Sequence, residues 1–426
     1  MKKLNSIKVP HNKNTQNCAS EKIPLPVSVK IPMCMNMGKH CTPIVKIKDT
    51  IAVGQKIGDC DAPFSVPIHS GVSGTVKAIS DYTLIDGSSC KAVEIECDGL
   101  QTISDSVKPP VINNREDFIK AVRESGMVGL GGAGFPTHIK LNPKNKIDVL
   151  LLNGAECEPY ITSDYRTMIE HPDEILDGIR IVAKMLDIPN VIIGIENNKP
   201  EAVRILEEKI SSDGNIKVMS LPSLYPQGGE KVLIYNCTGK IVEEGKLPSD
   251  YGIIVMNVST AYALDVYFKT GMPLVSRTVT VDGDTVGKAG NYIVPVGTSI
   301  EYILDYAQCQ KDKINKLITG GMMMGTTAYD LSHPVTKQNN ALLAMNKVEI
   351  PEELPCIRCG RCMHACPLDL MPMELDKAYR KRDAESLLKY KINLCMNCGC
   401  CTYVCPSKRK LAETNQLAKV FLRNLK

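Results

Sequence analysis

The sequence lacks the residues and runs that several classes of protein require. It has no Trp and only five Phe among 426 residues, which leaves little aromatic surface for stacking nucleic-acid bases. The formal net charge is +4 and no basic run occurs, so the composition predicts no nucleic-acid partner. No apolar run approaches the roughly 18 residues that a membrane-spanning helix needs, and no apolar segment follows the N-terminal lysines as in a signal peptide. We therefore expect a cytoplasmic protein without a transmembrane segment of its own, with a peripheral position on the cytoplasmic face of the cell membrane left open.

Cysteine, by contrast, is abundant. The chain has 18 cysteines, and half of them lie between Cys356 and Cys405. Disulfides are disfavoured in a reducing compartment, so clustered cysteines favour metal or redox chemistry. The sequence gives no role for the scattered cysteines, including the neighbouring Cys34 and Cys41.

The clustered cysteines form two copies of the pattern CxxCxxCxxxCP, which begin at Cys356 and Cys395. Thiolates at this spacing bind [4Fe–4S] clusters, and in two-cluster ferredoxins the fourth Cys of each run ligates the other cluster. A zinc site would instead use two CxxC pairs. Cys400 breaks the spacing and is predicted to be a free thiol. The predicted ligand sets are Cys356, Cys359, Cys362 and Cys405 for one cluster, and Cys395, Cys398, Cys401 and Cys366 for the other.

The segments around the second run have helical patterns. A helix is predicted between the two runs, and a second one after Pro406. The tail helix would place four apolar side chains on one face, which could pack against its own module or against a partner: Leu417, Val420, Phe421 and Leu425.

A glycine-rich loop, GLGGAGFPTHIK, occupies residues 129–140. Four glycines in six positions exclude a helix interior, and they allow backbone N–H groups to approach a phosphate. The loop lacks the GK[ST] of a P-loop, and no apolar strand precedes it as in a dinucleotide-binding unit. Taken alone, it is equally consistent with a tight turn before a helix.

Three further segments follow that loop in order: NGAECEPYITSDYR from Asn153, YPQGGEK from Tyr225, and MNVSTAYAL from Met256. The loop is similar to the flavin-binding loop of the NADH-oxidising flavoprotein subunit of respiratory complex I. The whole set, joined to the cysteine runs, more closely resembles RnfC, the NADH-oxidising subunit of the Rnf ion-pumping complex. The resemblance runs from about residue 25 to the C-terminus. The chain has Ala155 where the complex I subunit has an Asp.

This resemblance implies FMN and NADH as cofactors and assigns roles to single residues. Lys140, Asn153, Asn257 and Thr260 would contact the flavin. Phe135 and Tyr225 would stack on nicotinamide or adenine. The cradle for the FMN phosphate and ribityl chain would consist of Gly129, Gly131, Gly132 and Gly134, and the pocket would be closed by Gly228, Gly229 and Glu230.

The resemblance also implies the carboxylates of the reaction site. Glu156 and Glu158 would share one face of an extended segment. Glu158 and Glu230 would lie around the nicotinamide nucleotide and serve as the catalytic residues. Carboxylates there would accept hydrogen bonds from ribose hydroxyls.

The expected fold is multidomain, α/β plus β. The 28–105 region alternates apolar and polar residues like a lipoyl domain, but the predicted hairpin tip, His69 to Gly71, has no Lys to modify. The predicted units are an N-terminal extension (1–27), a lipoyl-like barrel-sandwich domain (28–105), an FMN- and NADH-binding α/β domain (106–275), a soluble-ligand-binding β-grasp (SLBB) domain (276–335) and a helical 2[4Fe–4S] ferredoxin-type domain (345–426).

The predicted function is electron transfer from NADH through FMN and two [4Fe–4S] clusters to a partner. In an Rnf-type complex, the partners would be other membrane subunits and ferredoxin. In the related group PrdC, which shares this layout, the partner would be proline reductase. A carrier or scaffold without flavin is the remaining alternative, and flavin content would distinguish it.

Overall fold

The first unit is a sandwich of short antiparallel strands. The computed structural model describes residues 3–85 and 87–425. A four-stranded sheet (β2-β8-β7-β4) faces a three-stranded sheet (β3-β5-β6), and alternate side chains such as Val93 and Ile95 fill the core between them. This confirms the predicted barrel-sandwich fold. The strands are β1 (Ser20–Lys22), β2 (Ser28–Pro32), β3 (Thr42–Pro43), β4 (Thr50–Ile51), β5 (Lys56–Asp59), β6 (Ile68–His69), β7 (Gly74–Thr83) and β8 (Ser89–Cys97).

The tip that carries the modified Lys in lipoyl domains is buried here. His69 and Ser70 are 5% and 0% exposed. A Cβ at Gly71 would lie 2.4 Å from the carbonyl oxygen of Val275. The tip therefore packs against the chain that follows the second unit and presents no side chain for modification.

The second unit is an α/β domain. Its parallel sheet has the order β11-β10-β9-β12. The apolar runs of β9 and β10 are buried, as expected for parallel strands covered by helices on both faces. The elements are α1 (Arg115–Glu124), α2 (Thr137–Lys140), β9 (Val149–Gly154), α3 (Ser163–Glu170), α4 (Pro172–Met185), β10 (Asn190–Glu196), α5 (Pro200–Lys209), β11 (Ile216–Leu221), α6 (Glu230–Thr238), β12 (Ile253–Asn257) and α7 (Val258–Thr270).

The sheet register aligns two of the predicted flavin contacts. Asn153 at the end of β9 pairs with Asn257 at the end of β12. The carboxyl ends of parallel strands form the crevice in which α/β domains bind ligands. The candidate site therefore lies at this edge.

The third unit is a six-stranded mixed sheet of order β1-β14-β13-β17-β15-β16. It differs from the predicted span 276–335 in two ways: it continues to Met345, and it includes β1, which pairs in parallel with β14. A three-residue strand is too short to show a period-2 pattern. The SLBB identification stays a prediction. The elements are β13 (Ser276–Asp282), β14 (Gly290–Pro295), α8 (Ile300–Tyr306), β15 (Lys316–Thr319), β16 (Thr326–Ala328) and β17 (Ala341–Met345).

The C-terminal module is helical. The single helix predicted between the cysteine runs is two helices, because the chain turns at Arg382, whose φ is +56°. The predicted tail helix is present. Its helices are α9 (Arg361–His364), α10 (Pro372–Arg380), α11 (Ala384–Lys389), α12 (Cys400–Tyr403) and α13 (Leu411–Asn424), and three 3₁₀ turns complete the chain at Pro248–Tyr251, Lys311–Lys313 and Ile392–Leu394.

The apolar face predicted for the tail helix is only partly covered. Phe421 packs edge-on against Tyr379 at 6.4 Å between ring centroids, whereas Leu417 and Leu425 are more than half exposed. Within residues 3–85 and 87–425, no helix is both long enough and apolar enough to span a bilayer.

Candidate electron-transfer site

The glycine-rich loop forms an open cradle between α1 and α2. Gly131 and Gly134 have φ of +76° and +70°, a conformation that L side chains adopt only with strain. A Cβ at Gly132 would meet no atom within 4 Å. The loop is thus held in shape by two glycines and leaves free space above a third, which fits a bound phosphate or ribityl chain.

The N-terminus of α7 closes one side of the cradle. Asn257 caps this helix, since its side-chain oxygen accepts a hydrogen bond from Ser259 N at 2.7 Å. The Asn257 amide donates to Asp164 at 2.7 Å and lies 3.2 Å from where a Gly131 Cβ would be. Leu130 N donates to the Thr260 hydroxyl at 3.2 Å. The first turn of α7 has no acidic residue, so its positive dipole end favours an anion such as a phosphate.

Lys140 and Glu230 meet on the other side. Lys140 Nζ lies 3.3 Å from Glu230 Oε2 and donates to the carbonyl of Val255 at 3.1 Å. The two side chains are 30% and 44% exposed, so their charges face solvent as well as each other. Phe135 packs edge-on against Phe64 of the first unit at 6.0 Å. The structure therefore brings together the loop, Lys140 and Glu230, as the resemblance implies.

Asn153 ties β9 to the second glycine turn. Its amide donates to the carbonyl of Gly228 at 2.9 Å, and its oxygen accepts from Ala155 N at 3.2 Å. Gly228 N in turn donates to Cys157 Sγ at 3.2 Å. Asn153 thus fixes the position of this turn through its own side chain.

Glu156 and Glu158 do not share a face, so the prediction of an extended segment is wrong. Glu156 has φ +46°, and its carboxylate accepts from the backbone N–H groups of Asp164 and Tyr165 at 2.6 and 3.3 Å. Burial raises the pKa of Glu156 to about 7, against the opposing charge of Lys13. Its role in this structure is to cap the start of α3.

Lys13 supports this loop from the N-terminal segment. Its ammonium group donates to the carbonyls of Glu156, Glu158 and Ile161 at 2.8, 2.9 and 2.6 Å. No sequence signal marks Lys13, because its partners are backbone atoms about 150 residues away. Asp164, the partner of Asn257, lies within the segment that begins at Asn153 but was not predicted.

Tyr225 is not available to stack on a nucleotide, in contrast to the prediction. It is 1% exposed, and its hydroxyl donates to the carbonyl of Cys398 at 2.7 Å and lies 3.2 Å from Glu158 Oε1. Glu158 Oε2 accepts from Met323 N at 2.9 Å, and burial raises the pKa of Glu158. Both side chains lie where the α/β domain meets the cysteine module, because Tyr225 is large enough to fill that junction.

The clustered cysteines surround two cavities. One, of about 360 Å³, is lined by Cys366 from the first run together with Cys395, Cys398 and Cys401 from the second. The other, of about 340 Å³, is lined by Cys405 together with Cys356, Cys359 and Cys362. The fourth Cys of each run thus lies with the first three of the other, in the pattern of the crossed ligand sets. Cys400 is 1% exposed and also lines the larger cavity, and its free thiol stays a prediction.

The two cavities differ in their surroundings. The larger one is next to the α/β domain, where a Cβ at Gly229 would lie 2.3 Å from the Met396 methyl group. The smaller one opens toward solvent, since Cys356 and Cys359 are exposed. The module therefore presents one cavity to the flavin-type domain and the other outward.

Three family models match this chain: the RnfC barrel sandwich hybrid domain over residues 3–100, the Nuo51 FMN-binding domain over 122–266 and the 4Fe-4S dicluster domain over 355–408. A relative from Clostridium ljungdahlii, which is a component of its proton-translocating ferredoxin:NAD(+) oxidoreductase complex, is 38% identical over 85% of this chain and 81% of the relative. The corresponding component of the Na(+)-translocating complex of Acetobacterium woodii is 39% identical, over 82% and 81%. The chain belongs to the RnfC family.

A chain of a NAD+-reducing [NiFe]-hydrogenase, in its air-oxidized state, has a similar fold. The TM-score is 0.54 at 18% identity, and the match covers 72% of this chain and 61% of the hydrogenase chain. With the family models, this likeness confirms the predicted fold class. An RnfC-family chain with an FMN-binding domain and a 4Fe-4S dicluster domain is an iron–sulfur flavoprotein, and the open cradle and the two cysteine-lined cavities fit those groups.

Proposed function

We propose that this chain oxidises NADH at FMN and delivers single electrons, through two [4Fe–4S] clusters, to other subunits of an Rnf-type complex. The observation that carries this function is the direct contact between the two halves of the path. Tyr225, which belongs to the FMN-binding domain, donates a hydrogen bond to Cys398, which lines a cysteine cavity.

The flavin would be held by residues at the carboxyl edge of the parallel sheet. FMN supplies the conversion of a two-electron donor into one-electron output, and the protein sets its position and potential. The glycine cradle and the N-terminus of α7, with Asn257 and Thr260, would hold the phosphate. Lys140, with its charge at the cradle, would stabilise negative charge on the bound cofactor.

The NADH site would lie on the exposed side of the cradle, at Glu230 and Phe135. A carboxylate near the ribose accepts hydrogen bonds from its hydroxyls and repels a 2′-phosphate, which favours NADH over NADPH. Glu230 remains exposed beside Lys140, whereas the contacts of Glu158 are internal. We therefore keep Glu230 as the nucleotide contact and give Glu158 a role at the domain junction.

The clusters would be ligated by the eight cysteines of the two cavities, with Cys366 and Cys405 exchanged between the runs. The partners would be the other subunits of a membrane-bound complex, with ferredoxin as the downstream acceptor and this chain on the cytoplasmic face. The relatives are named as subunits of ferredoxin:NAD(+) oxidoreductase complexes, which favours this partner over proline reductase.

The function is tested with protein purified without oxygen and loaded with FMN, iron and sulfide. NADH should bleach the cluster absorbance, and NADPH should do so far more slowly. Protein stripped of FMN but retaining its clusters should respond to dithionite and not to NADH. If the fully loaded protein is bleached by dithionite alone, the chain is a carrier filled by another protein and the NADH reaction is excluded.

A further inference from the structure

A second cleft, of about 560 Å³, lies between α3, α7 and the β13–β14 pair. No residue of the glycine-rich loop lines it. Its lining includes one cationic side chain, one carboxylate, an aromatic pair and several hydroxyls, among them Arg277, Glu170, His171, Tyr262, Ser259 and Thr278.

Arg277 is the unusual member of this lining. It is 6% exposed, and in the described part of the chain its one hydrogen bond runs from Nε to the carbonyl of Asn339 at 3.3 Å. No described carboxylate forms an ion pair with it. Burial lowers the pKa of Arg277 to about 10, so the guanidinium remains charged at neutral pH. A buried charge is costly unless it is paired and hydrogen-bonded.

The carboxylates near Arg277 already have partners. Glu170 accepts from Arg166 at 2.7 Å and from Ser20 N at 2.8 Å, and these contacts lower the pKa of Glu170. Asp164, whose charge favours the ionised form of Arg277, accepts from Asn257 and from Ser259. The terminal nitrogens of Arg277 are therefore left for a group that is not part of the described chain.

The remaining lining suits a small organic anion. The rings of His171 and Tyr262 stack at 4.6 Å with an interplanar angle of 27°, which offers a flat wall. Thr278 supplies a hydroxyl at the opposite wall. A guanidinium with nearby hydroxyls is the usual recognition set for phosphate or carboxylate groups.

We propose that this cleft is a second ligand site, separate from the flavin cradle, in which Arg277 binds the phosphate or carboxylate group of a small molecule. The cleft joins α3 and α7, which carry Asp164 and Asn257 at their N-termini. A ligand there would contact the same two helices that position the glycine-rich loop.

The test uses calorimetric titration of the full chain, loaded with FMN and clusters, with inorganic phosphate and, separately, succinate. One of the two should bind saturably at a single site, and the preferred probe identifies the charged group. Arg277→Gln should weaken that binding by about tenfold or more, as expected for a lost charged hydrogen bond. Arg180→Gln removes an equal charge from an exposed arginine already paired with Asp177 and Asp213, and it should bind like the wild type.

Because Arg277→Gln is a buried change, Ser276→Asp provides a second variant on the exposed end of β13 that also lines the cleft. Its carboxylate should repel the anion and abolish binding, while FMN and iron contents stay normal. Absence of saturable binding in the wild type, unchanged binding in Arg277→Gln, or binding that appears only after FMN removal would each overturn the proposal.

Discussion

At the scale of single residues, the flavin cradle depends on side chains that are absent. Gly131 and Gly134 adopt positive φ values that set the turn, and Gly132 keeps the space above the loop open. The glycine pattern could be predicted from sequence because glycine is the one residue that permits both conditions. The partners of Asn257 and Tyr225 could not, since they depend on contacts between segments far apart in the chain.

Gly132→Val is expected to abolish FMN binding without disturbing the fold. The new side chain would meet no protein atom at its Cβ, so it would occupy the ligand space alone. Flavin content after anaerobic purification is the measurement, and iron content should stay near that of the wild type. Gly214→Val, at an exposed turn where a Cβ also meets nothing within 4 Å, should retain both cofactors. Full flavin in Gly132→Val would locate the phosphate elsewhere.

His69 shows how a turn residue becomes a core residue. It is 5% exposed, its Nδ1 has no hydrogen-bond partner, and burial with the charge of Lys337 holds its pKa well below the usual value, with Lys56 adding to and Asp59 opposing the shift. The unfolded chain binds a proton on this ring below about pH 6.5, whereas the folded chain resists it. The contribution of His69 to stability is therefore complete above that pH and is lost as the pH falls toward the folded-state pKa.

His69→Gln should accordingly flatten the dependence of stability on pH. The measurement is the unfolding midpoint in urea between about pH 7 and pH 5, and the wild type should lose more stability over this range than the variant. His40→Gln is the matched control and should behave like the wild type. Parallel curves for wild type and His69→Gln would show that this ring does not control acid sensitivity.

At the scale of elements, the N-terminal segment joins three parts of the molecule. Ile7 forms an antiparallel bridge with Tyr225, Asn5 donates to the carbonyl of Cys366 at 3.2 Å, and β1 completes the six-stranded sheet. The sequence predicted an extension here because the segment has neither period nor motif. Its structure comes from surfaces supplied by the rest of the chain, which no local pattern encodes.

Lys13→Met should loosen the loop that Lys13 holds. Three buried carbonyls would lose a charged donor, so we expect a loss of about 2–4 kcal/mol in the free energy of unfolding. Chemical denaturation of the purified chain measures this change. Lys8→Met, at an exposed position of the same segment, should change stability little. Equal stability of the two variants would mean that the Lys13 contacts contribute nothing net.

The cysteine runs are the element that sequence described most fully, because ligand spacing is a local property. The crossed assignment can be tested by non-additivity. Cys366→Ala with Cys395→Ala should lose one cluster and keep about four iron per chain, whereas Cys366→Ala with Cys356→Ala should lose both. Iron analysis and spectra of the reduced protein distinguish these results, and Cys400→Ala should keep about eight iron. The reverse pattern would place all four cysteines of a run on one cluster.

At the scale of the whole molecule, the α/β domain and the cysteine module meet at a small, buried junction. Tyr225, Glu158, Met323 and Met396 lie there, and the larger cysteine cavity borders it. The exposed cysteines of the smaller cavity lie on the outside. This arrangement gives the larger cavity the position nearest the flavin domain, and it leaves the smaller cavity open to a partner.

Tyr225→Phe isolates the contribution of that junction, because it removes only the hydroxyl that donates to Cys398. The loss should cost about 1 kcal/mol of stability and leave FMN and iron contents unchanged. Bleaching of the clusters by NADH should slow several-fold, because the two domains would no longer be fixed at their contact. Reduction of an artificial acceptor by NADH, and of the clusters by dithionite, should proceed at the wild-type rates. Tyr403→Phe, an exposed tyrosine of the same module, should match the wild type in every assay. An unchanged rate of bleaching in Tyr225→Phe would mean that the hydrogen bond at the junction has no part in joining the two halves of the path.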